Sequence, residues 1–201
     1  MRRMIALVAV FGFVTMATMS ARAEGVTPPT LGEDGLYHHD WFHESFLDLA
    51  EDLDESHGDG KRVVLMFEQA GCIYCKKVNT EILTDPEVNK FVRENFNVIQ
   101  LNLWGDREVT DLDGEALPEK ELARKWAVMF TPTIVFLPET AEKAAGRNGK
   151  QAAVAVMPGA FAKGTFLDLF TWVREKGYET DEPFQKYHIR QIEKRRAAAS
   201  N

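Results

Sequence analysis

Two hydrophobic periods alternate along the chain and divide it into elements. Phe42, Phe46, Leu49 and Leu53 recur at helical spacing with acids between them. They predict a helix that opens at Asp40, its N-cap, and ends at the Gly58-Asp59-Gly60 segment. RVVLMFEQ, residues 62–69, is a strongly β-prone run and predicts a strand. A helix should open at the cysteine pair, Cys72 and Cys75, and TDPEVNKFVREN, 84–95, predicts another. Thr84 or Asp85 would cap that second helix, with Pro86 in its first turn.

FNVIQLNLW, 96–104, reads as the next strand, 105–118 as an acidic loop, and Glu119 to Ala127 as a short helix. TPTIVFLP and AAVAVMPG read as two strands, joined by a loop in which Arg147-Asn148-Gly149 favours a turn. Phe166, Leu167, Phe170 and Val173 mark an amphipathic helix over 162–176. After Asp181-Glu182-Pro183, the polar segment 184–198 makes a last, exposed helix. Strands alternating with helices imply βαβ units, and the closing hairpin adds antiparallel edge strands. The fold class is therefore α/β, a sandwich built on a small mixed sheet.

The ends of the chain carry a different pattern. Arg2 and Arg3 precede an apolar run, Ile5 to Met19, and Ala21-Arg22-Ala23 offers small side chains at a cleavage site. Residues 1–23 are thus expected to be a signal peptide, since the run is a little short for a membrane anchor and ends at Ser20. The arginine pair lacks the rest of a twin-arginine signal, and no cysteine follows the cleavage site to take a lipid. The mature protein would begin at Glu24, work in the periplasm, and have no stable membrane insertion. Residues 24–39 read as a polar linker, 40–178 as the folded domain and 179–201 as a C-terminal helical extension.

Composition adds little: 45% hydrophobic and 27% charged residues describe an ordinary globular chain. Charge adds more. Without Arg2, Arg3 and Arg22 the formal charge of −7 becomes about −10, which argues against nucleic-acid partners and adhesion to anionic membranes. The basic cluster Lys194-Arg195-Arg196 lies at the C-terminus, where it would complement a helix dipole or stay solvated.

The cysteine pair has three possible uses. Structural zinc wants four ligands, and His38, His39, His43, His57 and His188 are not spaced as a companion site. His39 and His43 could share a helical face, where they would simply be solvated. The acidic DLDGE at 111–115 lacks the full calcium-loop pattern and reads as a solvated loop. A structural staple this short would contribute only about 2 kcal/mol. Exchange chemistry suits the pair better. If the helix starts at Cys72, its sulfur faces free backbone N–H groups and the positive end of the helix dipole, which stabilises the attacking thiolate. An unperturbed thiol is only about 3% ionised at pH 7. Cys75, one turn on, would resolve the mixed disulfide.

VVLMFEQAGCIYCKK resembles the strand-turn-helix that carries the active site of thioredoxin-fold proteins. LARKWAVMFTPTIVFLP resembles that family's helix and strand around its cis-proline loop, and PGAFAKGTFLDLF its glycine turn and closing helix. The resemblance covers residues 42–176, with the motifs in the family's order. It implies a thioredoxin-like fold, with four to five mixed strands flanked by helices. It implies a redox-active Cys72–Cys75 disulfide, a cis Pro132 lying against it, and a substrate groove shaped by Thr131, Pro132 and Gly159. No metal or organic cofactor is required.

The departures matter as much. Gly71 stands where typical thioredoxins have tryptophan, so a bulky wall of the site is missing. Met66 and Gln100 stand where they have a buried acid and a lysine. Glu68 lies two residues after Met66, so strand alternation points it to the same face, where it could accept the Cys75 proton. A solvated strand-end acid is the alternative.

MFEQAGCIYCKK, the LNLWGDREVTDLDGE loop and the tail beyond residue 178 resemble the periplasmic thioredoxins of bacterial sulfur-oxidation systems (SoxW-type). That resemblance implies a reductant of a partner protein's disulfide, fed by a membrane thiol donor of CcdA or DsbD type. The alternatives are a reductant for cytochrome c maturation, a general disulfide oxidase, or a binding module whose cysteines form a redox-sensitive lock.

Overall fold

A computed structural model describes residues 26–200. The expected signal peptide and its cleavage site lie outside the described residues. The central sheet has four strands: β3 (Arg62–Glu68), β4 (Phe96–Asn102), β7 (Thr133–Phe136) and β8 (Ala155–Pro158). Their order is β4-β3-β7-β8. β3 runs parallel to β4, pairing Met66 with Gln100 and Glu68 with Asn102. β7 lies antiparallel to β3, and β8 antiparallel to β7.

β3 shows no polar alternation because helices cover both faces of the sheet. Val63, Leu65 and Phe67 join one core with Leu49, Leu53, Leu122 and Trp126. Those partners come from α1 (Leu49–Gly58), α4 (Glu119–Lys125) and the residue after it. Val64 and Met66 join the other core, with Val88, Val92, Phe166 and Phe170. Here the partners are α3 (Pro86–Asn95), capped by Asp85 with Pro86 in its first turn, and α7 (Lys163–Arg174).

Several boundaries differ from expectation. α1 opens at Leu49, not near Asp40, because Asp48 caps it by accepting from Ala50 N and Glu51 N. The Phe42 and Phe46 periodicity is coincidental: Phe42 packs beside Trp41 and His39, and Phe46 is fully exposed. Residues 26–39, expected as a linker, fold back on the domain as the hairpin β1 (Thr30–Leu31) and β2 (Tyr37–His38), with Leu36 buried.

The expected acidic loop, 105–118, is another hairpin, β5 (Glu108–Thr110) with β6 (Ala116–Pro118). Asp111 there is buried rather than solvated: it accepts from Trp126 Nε1 at 2.9 Å and Gly149 N at 2.8 Å, with Lys125 Nζ at 2.8 Å. The connection from β7 to β8 carries two short helices, α5 (Ala141–Ala144) and α6 (Gly149–Ala152), and Asn148 caps the second rather than making a hairpin turn. α8 (Phe184–Ala199) is mostly exposed, yet it is tied to α7. Arg195 neither caps a dipole nor floats in solvent but grips buried Asp168 through two bonds, 2.7 and 2.8 Å, beside His188 Nδ1 at 2.5 Å.

Candidate active site

The site stands at the end of β3, where Gly71 adopts φ +73° and turns the chain so that Cys72 can cap the next helix. Cys72 and Cys75 form a disulfide, with Cα atoms 5.2 Å apart. Cys75 N donates to Cys72 Sγ at 3.0 Å. Cys72 is half-buried, whereas Cys75 is 3% exposed. The helix α2 (Ile73–Lys77) then widens into a π turn, Val78–Ile82, in which Leu83 N reaches back to Val78 O.

Of the three distant residues assigned to the groove, Thr131 lines it, while Pro132 and Gly159 stand behind Thr131 and are not among its lining residues. The Thr131–Pro132 peptide bond is cis. Cys72 Sγ lies 3.5 Å from Thr131 O. Gly159, at φ +97°, donates its N–H to Pro132 O at 2.7 Å, a backbone geometry that favours glycine. The groove beside Cys72, about 490 Å³, is lined by Gly71, Tyr74, Trp104, Phe130 and Thr131. Trp104 Nε1 donates to Gln69 Oε1 at 2.9 Å, and nothing stands within 4 Å of where a side chain at Gly71 would begin. Ile73, Tyr74, Met129 and Phe130 are exposed around it.

Glu68 is not a solvated strand-end acid. Its side chain is 0% exposed. Both carboxyl oxygens accept from amides: Asn79 Nδ2 reaches Oε1 at 2.7 Å, and Gln100 Nε2 reaches Oε2. Burial pushes the carboxyl up to about 7, against the opposing pull of these two amides, and Asp34 adds to the rise. A cleft of about 230 Å³, lined by Glu68, Cys72, Cys75 and Leu36, joins acid and disulfide. Strand alternation placed Glu68, and Gln100, opposite Met66 in the β3–β4 register, reaches it diagonally across the same face. Asn79 escaped notice, although a polar residue four beyond Cys75, between Val78 and Ile82 on an apolar helix face, was a readable signal. It also donates to Cys75 O at 2.9 Å. His39, expected on a solvated helix face, is instead buried at 6% exposure, and burial pushes its imidazole down to about 4.

The arrangement can pass two electrons through one disulfide, with an acid nearby that can gain or lose a proton near neutrality. Among the described residues no group of three or more His, Cys, Asp or Glu side chains converges as a metal site.

Residues 49–163 match the family model of the thioredoxin-like domain. Among solved structures, the chain is similar to a thioredoxin-fold protein from Helicobacter pylori. The two are 21% identical over 67% of this chain and 86% of that one, with a TM-score of 0.51. A thioredoxin from Thermus thermophilus is 28% identical over 65% of this chain and 86% of its own, with a TM-score of 0.49. A DsbH oxidoreductase is 19% identical over 83% and 95%, with a TM-score of 0.45. No curated protein sequence matches the chain.

Proposed function

Since this chain belongs to the thioredoxin-like domain family and is a thiol–disulfide oxidoreductase, we propose that it works in the periplasm as the reductant of a partner protein in a sulfur-oxidation system. The carrying observation is the asymmetry of the disulfide: one half-buried sulfur at the groove, one buried sulfur joined by a cleft to a buried acid.

In the reduced protein, the Cys72 thiolate attacks the partner's disulfide, forming a mixed disulfide and releasing one partner thiolate, which takes a proton from water. Cys75 gives its proton to Glu68 and attacks Cys72 Sγ. The Cys72–Cys75 bond closes and the second partner sulfur leaves as a thiolate, which takes up the proton held by Glu68. Two electrons pass from the pair to the partner, and the oxidised state seen here is the product. Thr131, Pro132 and Gly159 shape the groove in which an extended partner segment lies. A membrane thiol donor of CcdA or DsbD type resets the pair. The catalytic domain in this reading is 40–178, with the arm before it lining the cleft at the disulfide, secreted by the signal at 1–23 and followed by 179–201 as an extension.

The sulfur-oxidation partner rests on the resemblance of MFEQAGCIYCKK, the LNLWGDREVTDLDGE loop and the tail. A Cys75→Ser variant expressed in the native host tests it. Without the resolving sulfur, the partner stays linked to Cys72, and the expected catch is a periplasmic protein of sulfur oxidation. Failure to trap any partner, together with a potential near the oxidising end of the fold's range, about −120 mV rather than about −270 mV, would overturn the reductant assignment.

A further inference from the structure

Glu68 is held by two amides, and both are backed by the segment that precedes the domain. Gln100 Nε2, bonded to Glu68, also donates to Tyr37 O of β2 at 3.0 Å. Asn79 uses Nδ2 twice, on Glu68 Oε1 and on Cys75 O. Its Oδ1, in a side chain 0% exposed, meets no well-angled donor. The His39 imidazole abuts Asn79, and it too has no well-angled partner for either ring nitrogen.

A buried acceptor without a donor and a buried ring N–H without an acceptor are each unfavourable, and here they are neighbours. Joining the two satisfies both at once. An amide has a fixed oxygen end and a fixed nitrogen end. Once Oδ1 is held by a ring N–H, Nδ2 must point at Glu68 and the Cys75 carbonyl. The flipped amide would set oxygen against two acceptors.

We propose that His39 is a positioning residue for the redox centre: its imidazole donates to Asn79 Oδ1 and so aims Asn79 Nδ2 at Glu68 Oε1 and Cys75 O. The inference rests on the reading of Glu68 as proton acceptor for Cys75. It makes the arm 26–39 part of the reaction site, since that arm anchors both amides that fix the acid. A purely structural role would leave His39 as an aromatic filler between Trp41 and Phe42, whose ring centroids lie 5.1 and 4.9 Å away.

Other titratable groups face this cluster. Asp34 acts on Glu68 and Asp40 on His39. Lys76 lines the cleft shared with Glu68, and His38, His43, Glu44, Asp106, Arg107 and Glu119 line a second cleft together with His39. All of them stay in place when His39 alone is changed.

The test is a carbon-13 NMR titration of the Glu68 carboxyl in the oxidised protein, assigned by its loss in Glu68→Gln. His39→Phe keeps the ring packing and removes the donor. The expected result is a titration midpoint raised by about half a pH unit or more, because the carboxylate loses a well-aimed N–H. His39→Gln restores a donor and should return the midpoint towards wild type. A folded His39→Phe protein with the wild-type midpoint overturns the role of His39, as does a His39→Gln protein shifted as far as His39→Phe. A wild-type Glu68 that titrates near 4.5 sinks the Glu68 reading itself, a distinguishable failure. Should His39→Phe not fold, nitrogen-15 shifts of the wild-type ring decide. One neutral tautomer with a hydrogen-bonded N–H across pH 5 to 8 supports the proposal, and a ring that titrates near 6.5 overturns it.

Discussion

Replacing Glu68 by glutamine removes the charge of the buried acid while keeping its shape, and the pH dependence of stability should report the difference. The carboxyl lies at about 7 in the folded protein against an ordinary 4.5. The native state therefore holds this proton more tightly than the unfolded chain. The group's contribution to stability is complete below pH 4.5, falls away as pH rises towards 7, and is absent above it. At about 1.4 kcal/mol per pH unit, the gap corresponds to about 3 kcal/mol. Glutamine does not titrate. Its own amide will face one of the donors on Asn79 or Gln100, a conflict of about 1–3 kcal/mol that is present at every pH and cancels between two pH values. Urea unfolding of both oxidised proteins at pH 4 and pH 8 supplies the comparison. Between these values the stability of Glu68→Gln should improve relative to wild type by about 3 kcal/mol. A difference between the two proteins that is the same at pH 4 and pH 8 would refute the reasoning, because Glu68 would then ionise as an ordinary glutamate.

Other consequences are more local. Burial alone would raise the Asp168 carboxyl, but Arg195 and His188 outweigh it and hold it below its usual range. Asp168→Asn should therefore loosen α8 from α7 by about 1–2 kcal/mol at pH 7, read as faster amide exchange in α8. That difference should shrink as pH falls through 3.8 and below, since a lowered carboxyl contributes only while ionised, and equal loss at pH 3 and pH 7 would contradict it. Asp48→Ala removes the cap of α1 and should lower stability by about 1 kcal/mol in urea unfolding. Asp40→Ala, at the position that periodicity alone would make the cap, should change stability by less than about half of that.

The parts of the fold that were readable in the sequence are those governed by local rules. β3 and β4 announce themselves as long apolar runs, and Asp85-Pro86 as a helix start, because capping and strand burial act within a few residues. Cys72, Cys75, Thr131, Pro132 and Gly159 were readable as family motifs, and the backbone sets Thr131 O beside Cys72 Sγ and Gly159 N on Pro132 O. Glu68 followed from strand alternation. What escaped depends on chain returning from a distance. The arm 26–39 has too few apolar residues to signal structure, yet Leu36 and His39 are buried once it lies over the sheet. Asp111 looked solvated because its partners, Trp126 and Gly149, arrive from the residue after α4 and from α6. Phe42 and Phe46 imitated a helical period that Asp48, as a better cap, overrides.

The exchange mechanism itself stands or falls on the order in which the two sulfurs act. Stopped-flow mixing of the reduced protein with an excess of an aromatic disulfide that releases a coloured thiolate measures this directly. The predicted wild-type trace has two phases, one thiolate released as Cys72 attacks and a second as Cys75 resolves the adduct. Cys75→Ser should show the first phase only and keep the aromatic group on Cys72, while Cys72→Ser should react slowly, its remaining sulfur being buried. A fast first phase retained in Cys72→Ser and lost in Cys75→Ser would contradict the account.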